Sequence, residues 1–327
     1  MKVKQKETEN RTSKKTKKVL SILLKIVAAI ILVIALFFAV VFIINLISSK
    51  FEEAQIESYG QLVQVDGETM NVLIEGEGEE TIVLLPGYGT AAPALDFKPL
   101  IEELAPFYKV VVVEPFGYGL SDHTDKERTT ENIVFEIHEA LQSLDIDEYI
   151  LMGHSIAGIY GLNYVNKYED EVQAFVGIDT SVPTQGGMDE ELPISTFHFL
   201  RKSGLGRLVI NLGDDPYETL PFDEETKEQM RLITHKNLFN ASNLNEMKHF
   251  SSNFKEAQSL AFPDELPLLL FIQADNSDVE GWIPLHEEQV ENSLHGKTML
   301  IDADHYLHHT KSKEMVDTMR VFLGETE

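Results

Sequence analysis

Three stretches of this chain carry residue types suited to acyl transfer: GHSIAG (153–158), DADHYLHHT (302–310) and LLPGYGT (84–90). Ser155 lies where the apolar run YILMGH meets the helical pattern IAGIYGLNYVNKY. A sharp strand-to-helix turn at that junction would lift its hydroxyl above the strand ends, the geometry a nucleophilic serine needs. Such a turn crowds backbone against backbone, so small residues are required around it. The usual pattern is G-x-S-x-G; here Ala157 stands at the last position with Gly158 next, a departure of one methyl group.

A nucleophilic serine needs a base from the same edge of the fold, and His305 follows the last apolar run of the chain. His308 and His309 come just after it. Three histidines at helical spacing could suggest a metal, but no H-E-x-x-H or similar ligand pattern accompanies them. The expectation is no metal and no cofactor, with His308 and His309 at the surface or in lid contacts. A carboxylate must orient the base. Asp275, ending LPLLLFIQA, is the first candidate; Asp179, ending VQAFVGID, and Asp278 are alternatives, with Glu280 in the same DNSDVEGW loop. That loop lacks the ligand spacing of a calcium-binding hand. Two backbone N–H groups must face the developing oxyanion. Ile156 supplies one from the helix start and Tyr88, within PGYG, the other.

From about residue 60, β-branched apolar runs alternate with helical patterns, which predicts a mostly parallel sheet with crossover helices. QLVQVDGETMNVLIEG reads as an opening hairpin turning at Asp66 and Gly67. Strands are expected at 81–86, 109–115, 149–154, 172–179, 266–274 and 297–303, with the clearest helices near 130–145, 157–168 and 310–323. Residues 183–265 lack a β run and contain helical patterns, so they read as a helical insertion over the carboxyl ends of the strands. The expected organisation is a basic tail 1–25, an apolar span 26–47, a linker 48–59, a core from 60–182 and 266–327, and the insertion 183–265.

Charge divides the chain. Residues 1–50 hold ten basic and two acidic residues, leaving 17 basic and 52 acidic in the remainder, a net of −35. Such a domain is repelled by phosphate backbones, which argues against nucleic acid as a partner. Ile26 to Ile44 gives 19 consecutive uncharged residues, enough to cross the roughly 30 Å hydrocarbon layer as a helix. A cleaved signal would have a shorter apolar region and a small-residue cleavage site. Nine of the ten basic residues precede the span, so the N-terminus is expected in the cytoplasm and the large domain outside the membrane. The chain has no cysteine, excluding disulfides, thiolate metal sites and a cysteine nucleophile.

PGYGT, EPFGYGLSD, GHSIAG and ADHYLHH occur in the chain order of the α/β-hydrolases, and serine before acid before histidine is also that order. The chain over about 60–325 resembles that family, with the insertion where its cap domain lies. The resemblance implies Ser155 as nucleophile, His305 as base, Ile156 and Tyr88 as oxyanion donors, and FGYGLSD as a loop that supports the site. Pro86 stands where the family usually has histidine, Asp304 where it has glycine before the catalytic histidine, and Gln273 where the acid loop has glycine. The expected function is hydrolysis of a small-molecule carboxylic ester. An amidase or aminopeptidase on the same residues, or a non-catalytic binding module, are the alternatives. A serine at this position argues against epoxide-hydrolase and dehalogenase chemistry, which in this family resembles attack by an aspartate.

Overall fold

The computed structural model describes residues 2–190 and 192–324, with side chains from Lys14 onward. Met1 and the side chains of Lys2, Lys4, Lys6 and Arg11 in the expected tail lie outside the described residues. So do Glu191 of the expected insertion and 325–327 of the expected core.

Among the described residues eight strands form one sheet: β1 (Gln61–Val65), β2 (Glu68–Glu75), β3 (Thr81–Leu85), β4 (Lys109–Glu114), β5 (Tyr149–His154), β6 (Val172–Ile178), β7 (Leu268–Gln273) and β8 (Gly296–Ile301). The spatial order is β1-β2-β4-β3-β5-β6-β7-β8, and every pairing from β4 to β8 is parallel. β1 and β2 form the antiparallel hairpin, and its turn places both Asp66 (φ 55°) and Gly67 (φ 90°) in the left-handed region that a two-residue hairpin turn requires. The central strands are Val, Ile and Leu runs buried on both faces because helices cover both.

Helices α2 (Pro93–Asp96) and α3 (Lys98–Leu104) follow β3; α4 (Thr130–Gln142) and α5 (Ala157–Lys167) flank β5. The Thr129 hydroxyl accepts from the Asn132 amide at the start of α4. Between β6 and β7 the described chain contains α6 (Ile194–Ser203), α7 (Leu205–Leu212), α8 (Glu224–Asn237) and α9 (Ala241–Ala257) and no strand. Asp223 and Asn240 cap α8 and α9 by accepting from Thr226 N and Asn243 N. α10 (Trp282–Val290), α11 (Leu307–Thr310) and α12 (Ser312–Phe322) complete the order. One face of the sheet buries Phe97, Leu100, Leu104, Met315 and Met319; the other buries Ile133, Ile137, Ile159, Leu162 and Trp282.

The N-terminal helix α1 (Lys2–Glu53) is long and apolar enough to cross a membrane. It continues through the first half of the expected linker, because SSKFEE contains neither glycine nor proline to stop it. Arg207 of α7, itself buried, holds this end: its guanidinium donates to Asn45 Oδ1 (2.9 Å), Ser49 Oγ (3.0 Å) and the Glu52 carboxylate. The helical block between β6 and β7 is thereby fastened to α1 by a fork of charge-assisted bonds.

Candidate active site

The chain leaves β3 in one direction, to β4, and returns on its other side as β5, so the strand order reverses at β3. Ligands in open α/β sheets bind outside the carboxyl ends of strands at such a reversal. Ser155 sits there, directly beyond β5, with φ 54°. A left-handed conformation at a non-glycine residue costs of order 1–3 kcal/mol and must be imposed by its surroundings. Here Ser155 N donates to the Ile178 carbonyl (3.1 Å), and the Ser155 carbonyl accepts from Ser181 N (2.8 Å), locking the turn to the segment after β6. A side chain at Gly153 would come within 2.9 Å of Ala157 Cβ, and one at Gly158 within 2.5 Å of the Ser181 carbonyl. The tight approaches therefore fall at Gly153 and Gly158, which is why alanine fits at 157.

The loop after β3 passes directly over this turn. A Cβ on Gly87 would lie 2.6 Å from His154 Nδ1 and 3.1 Å from Ser155 Cβ, so the close approach of this loop to the turn requires glycine at 87. The Ile156 amide belongs to the start of α5, where first-turn N–H groups have no intrahelical acceptor. The Tyr88 side chain points the other way, donating to the Asn243 carbonyl of α9 (3.0 Å) and meeting Phe250 edge-on.

His305 follows β8, and its Nδ1 donates to Asp179 Oδ2 at 2.6 Å. That bond leaves Nε2 as the ring's acceptor. Asp179 is fully buried, has φ 43°, and its Oδ1 accepts from Gln273 N (2.8 Å) and Trp282 Nε1 (2.7 Å). Asp275, the first candidate from sequence, is exposed, as are Asp278 and Glu280, and none of them bonds His305. The physical reason is strand order. His154 at the end of β5 pairs with Ile178 in β6, so the residue after β6 adjoins the serine, whereas Asp275 lies beyond one further strand. The only tryptophan of the chain, at the end of the loop that carries Asp275, serves the site by donating to Asp179.

His308 and His309 are not at the surface, but His309 does meet the helical block, its ring lying 5.3 Å from that of Phe222. Both are buried, and their Nε2 atoms each lie 2.8 Å from one oxygen of the buried Asp96 carboxylate. Burial alone would raise the pKa of Asp96, but donation from His308 and His309 outweighs it and holds the carboxyl well below the usual range. Burial depresses His308, so it donates as a neutral ring. The three side chains have ligand atoms within 4.8 Å of one another, the right chemistry for a metal, yet each carboxylate oxygen is already satisfied by one Nε2. They tie α11, two residues past His305, to the end of α2. His154 completes the packing: its ring stacks near His305 (centroids 4.7 Å) and its Nε2 donates to the His305 carbonyl (3.2 Å). Burial pushes the His154 pKa well below the ordinary value, so no cation sits beneath His305.

Helix α9 closes the site from above. Its Glu246, buried and with its pKa raised by burial, accepts from Tyr118 OH (2.8 Å) and from Tyr160 OH (2.6 Å) of α5. A cavity of about 320 Å³ lies between the loop after β3, Tyr217 and Met230 of the helical block, and Asp304 and Tyr306 on either side of His305. It borders His305 through those neighbours and does not reach Ser155.

Residues 80–202 match the family model described as alpha/beta hydrolase fold. The Bacillus subtilis protein YbdG is 33% identical over 229 residues, covering 67% of this chain and 70% of that one. A 2-hydroxy-6-oxo-6-(2'-aminophenyl)hexa-2,4-dienoic acid hydrolase of Metapseudomonas resinovorans is 25% identical over 173 residues, or 53% of this chain and 58% of its own. Among solved structures, the enol-lactonase of Burkholderia xenovorans LB400 superposes with a TM-score of 0.58 at 17% identity, covering 81% of this chain and all of that one. An epoxide hydrolase of Vigna radiata gives 0.62 at 15% identity, covering 81% and 98%. With its strand reversal at β3, its strained serine beyond β5 and its helical block over the strand ends, this chain belongs to the α/β-hydrolase family.

Proposed function

We propose that this protein is a membrane-anchored serine hydrolase of carboxylic esters working through an acyl-enzyme. The observation that carries the reading is the 2.6 Å bond from His305 Nδ1 to the buried Asp179, itself one strand over from the strained Ser155. Asp179 fixes the tautomer in which His305 Nε2 is free to take a proton. Ser155 Oγ attacks the acyl carbon as its proton passes to Nε2, and the carbonyl oxygen gains negative charge. The Tyr88 and Ile156 amides face that charge, each such donor being worth about 3 kcal/mol in the transition state. His305 returns the proton to the departing alcohol. Water then repeats the sequence on the acyl-enzyme and releases the acid.

The enol-lactonase likeness is in keeping with an ester bond. Helix α1 supports a single crossing with the N-terminus in the cytoplasm and the catalytic domain on the far side, given the basic residues ahead of its apolar stretch. The test is a panel of p-nitrophenyl acyl esters alongside aminoacyl p-nitroanilides. Esters should be turned over, and that turnover should disappear in Ser155→Ala; turnover of anilides alone would move the reading to an amidase, and full activity in Ser155→Ala would overturn it.

A further inference from the structure

Between α1 and the helical block lies a second cavity, of about 450 Å³, lined by neither Ser155 nor His305. Its upper wall holds Arg201, Lys202, Arg207 and Lys236 against Glu52 and Glu53, a positive surplus in a domain whose net charge is −35. Arg207 is answered by Glu52. Among the described residues no carboxylate pairs with Arg201, Lys202 or Lys236; Arg201 donates to the Leu238 carbonyl and Lys236 to the Gly119 carbonyl (3.1 Å). Burial depresses the pKa of both Arg201 and Lys236; at Lys236 the charges of Glu114, Asp122 and Glu53 partly offset it, whereas burial alone acts on Arg201.

The position of this cavity along α1 identifies what would supply that charge. Counting about 20 residues of helix for the hydrocarbon layer from Lys25, the last charged residue before the apolar stretch, puts its outer edge near Asn45. Phe42 and Leu46 form the apolar floor at that edge, whereas Ser49 and Glu52 rise into the headgroup layer. The helical block is set equally deep: Phe199 of α6 meets Phe38 with ring centroids 6.2 Å apart, about 10 Å below the edge. Phe199, Val209 and Leu212, exposed on α6 and α7, then face acyl chains rather than water.

We propose that this cavity is a binding site for an anionic phospholipid, with its phosphate among Arg201, Lys202 and Lys236 and its acyl chains leaving over Phe42 and Leu46. A free phosphate shares the headgroup chemistry but makes no use of the apolar floor. The proposal rests on the reading of α1 as a membrane span. It gives the acidic domain one local attachment to a surface that otherwise repels it, through the same helical block to which α9 belongs.

The full-length protein, purified in detergent, is titrated with phosphatidylglycerol and with phosphatidylcholine, and retained lipid is counted by native mass spectrometry. The expected result is one phosphatidylglycerol per chain, bound about tenfold more tightly than phosphatidylcholine and not displaced by millimolar inorganic phosphate. Arg201→Gln with Lys202→Gln should remove that preference. Lys202→Glu, at an exposed position that leaves folding intact, should weaken phosphatidylglycerol alone. Equal binding of both lipids, unchanged binding in the variants, or displacement by phosphate would overturn the proposal. Extraction of cell membranes with alkaline carbonate separates the causes: release of the chain sinks the anchor reading together with this one, whereas retention without lipid preference sinks this one alone.

Discussion

Replacing Asp179 by Asn tests the assignment of the acid with little disturbance of the fold. Two donors, the Gln273 amide and Trp282 Nε1, point at Oδ1, so the new side chain keeps its carbonyl oxygen there and turns its NH2 toward His305. His305 Nδ1 must then accept rather than donate, which places the ring proton on Nε2, facing the serine it should deprotonate. An inverted tautomer of this kind lowers turnover by about 10⁴-fold, or about 5 kcal/mol of transition-state stabilisation. The assay is the labelling rate with a fluorophosphonate probe, which needs the activated serine but no knowledge of the substrate, with Tm measured in parallel. Asp179→Asn should label at least about 10³-fold more slowly at nearly unchanged Tm, whereas Asp275→Asn, on an exposed loop, should stay within about twofold. Rapid labelling of Asp179→Asn, or an equal loss in Asp275→Asn, would show that the orienting acid is not Asp179.

Gly87→Ala drives a methyl group to 2.6 Å from His154 Nδ1, so the loop must lift and carry the Tyr88 amide with it; ester turnover should fall about 10²-fold or more with binding less affected, read as kcat against KM. Asp96→Ala strips both histidines of their acceptor in a buried site and should cost about 3 kcal/mol, seen as a Tm lowered by roughly 6–12 °C in calorimetry. His154 and His308 are kept neutral by burial, so their folded pKa values lie below the unfolded one and the unfolded chain gains protons first on acidification. Their contribution is therefore present above about pH 6.5 and lost as pH falls below it, so Tm should drop across a series from about pH 7 to about 5.5.

The sheet was legible because its central strands are apolar runs bounded by turn residues, and each of those runs became a strand. Ser155 was legible for the same reason: a serine between small residues, set where a strand pattern gives way to a helix pattern, implies a tight turn with its hydroxyl at the strand end. The carboxylate was not. Asp179 and Asp275 both close an apolar run, and only the lateral order β5-β6-β7 distinguishes them. Lateral order is a property of crossovers, invisible to local periodicity; placing the serine strand beside the next strand in sequence would have favoured Asp179. The surface alternative fails for His308 and His309 because their partner, Asp96, lies more than 200 residues earlier, and a buried carboxylate in a short helix leaves no local signal; the expected lid contact holds for His309, whose ring meets Phe222. Arg207 escaped notice likewise, since only contact with α1 accounts for an arginine on an otherwise apolar helix.

Activation of Ser155 by His305 is the step on which the proposed chemistry depends. Treatment of the full-length protein with a fluorophosphonate, followed by intact mass and peptide mapping, should give a single adduct on Ser155 whose formation slows by about 10³-fold or more in His305→Ala. An adduct on another residue, or one that forms on Ser155 at the same rate without His305, would contradict it.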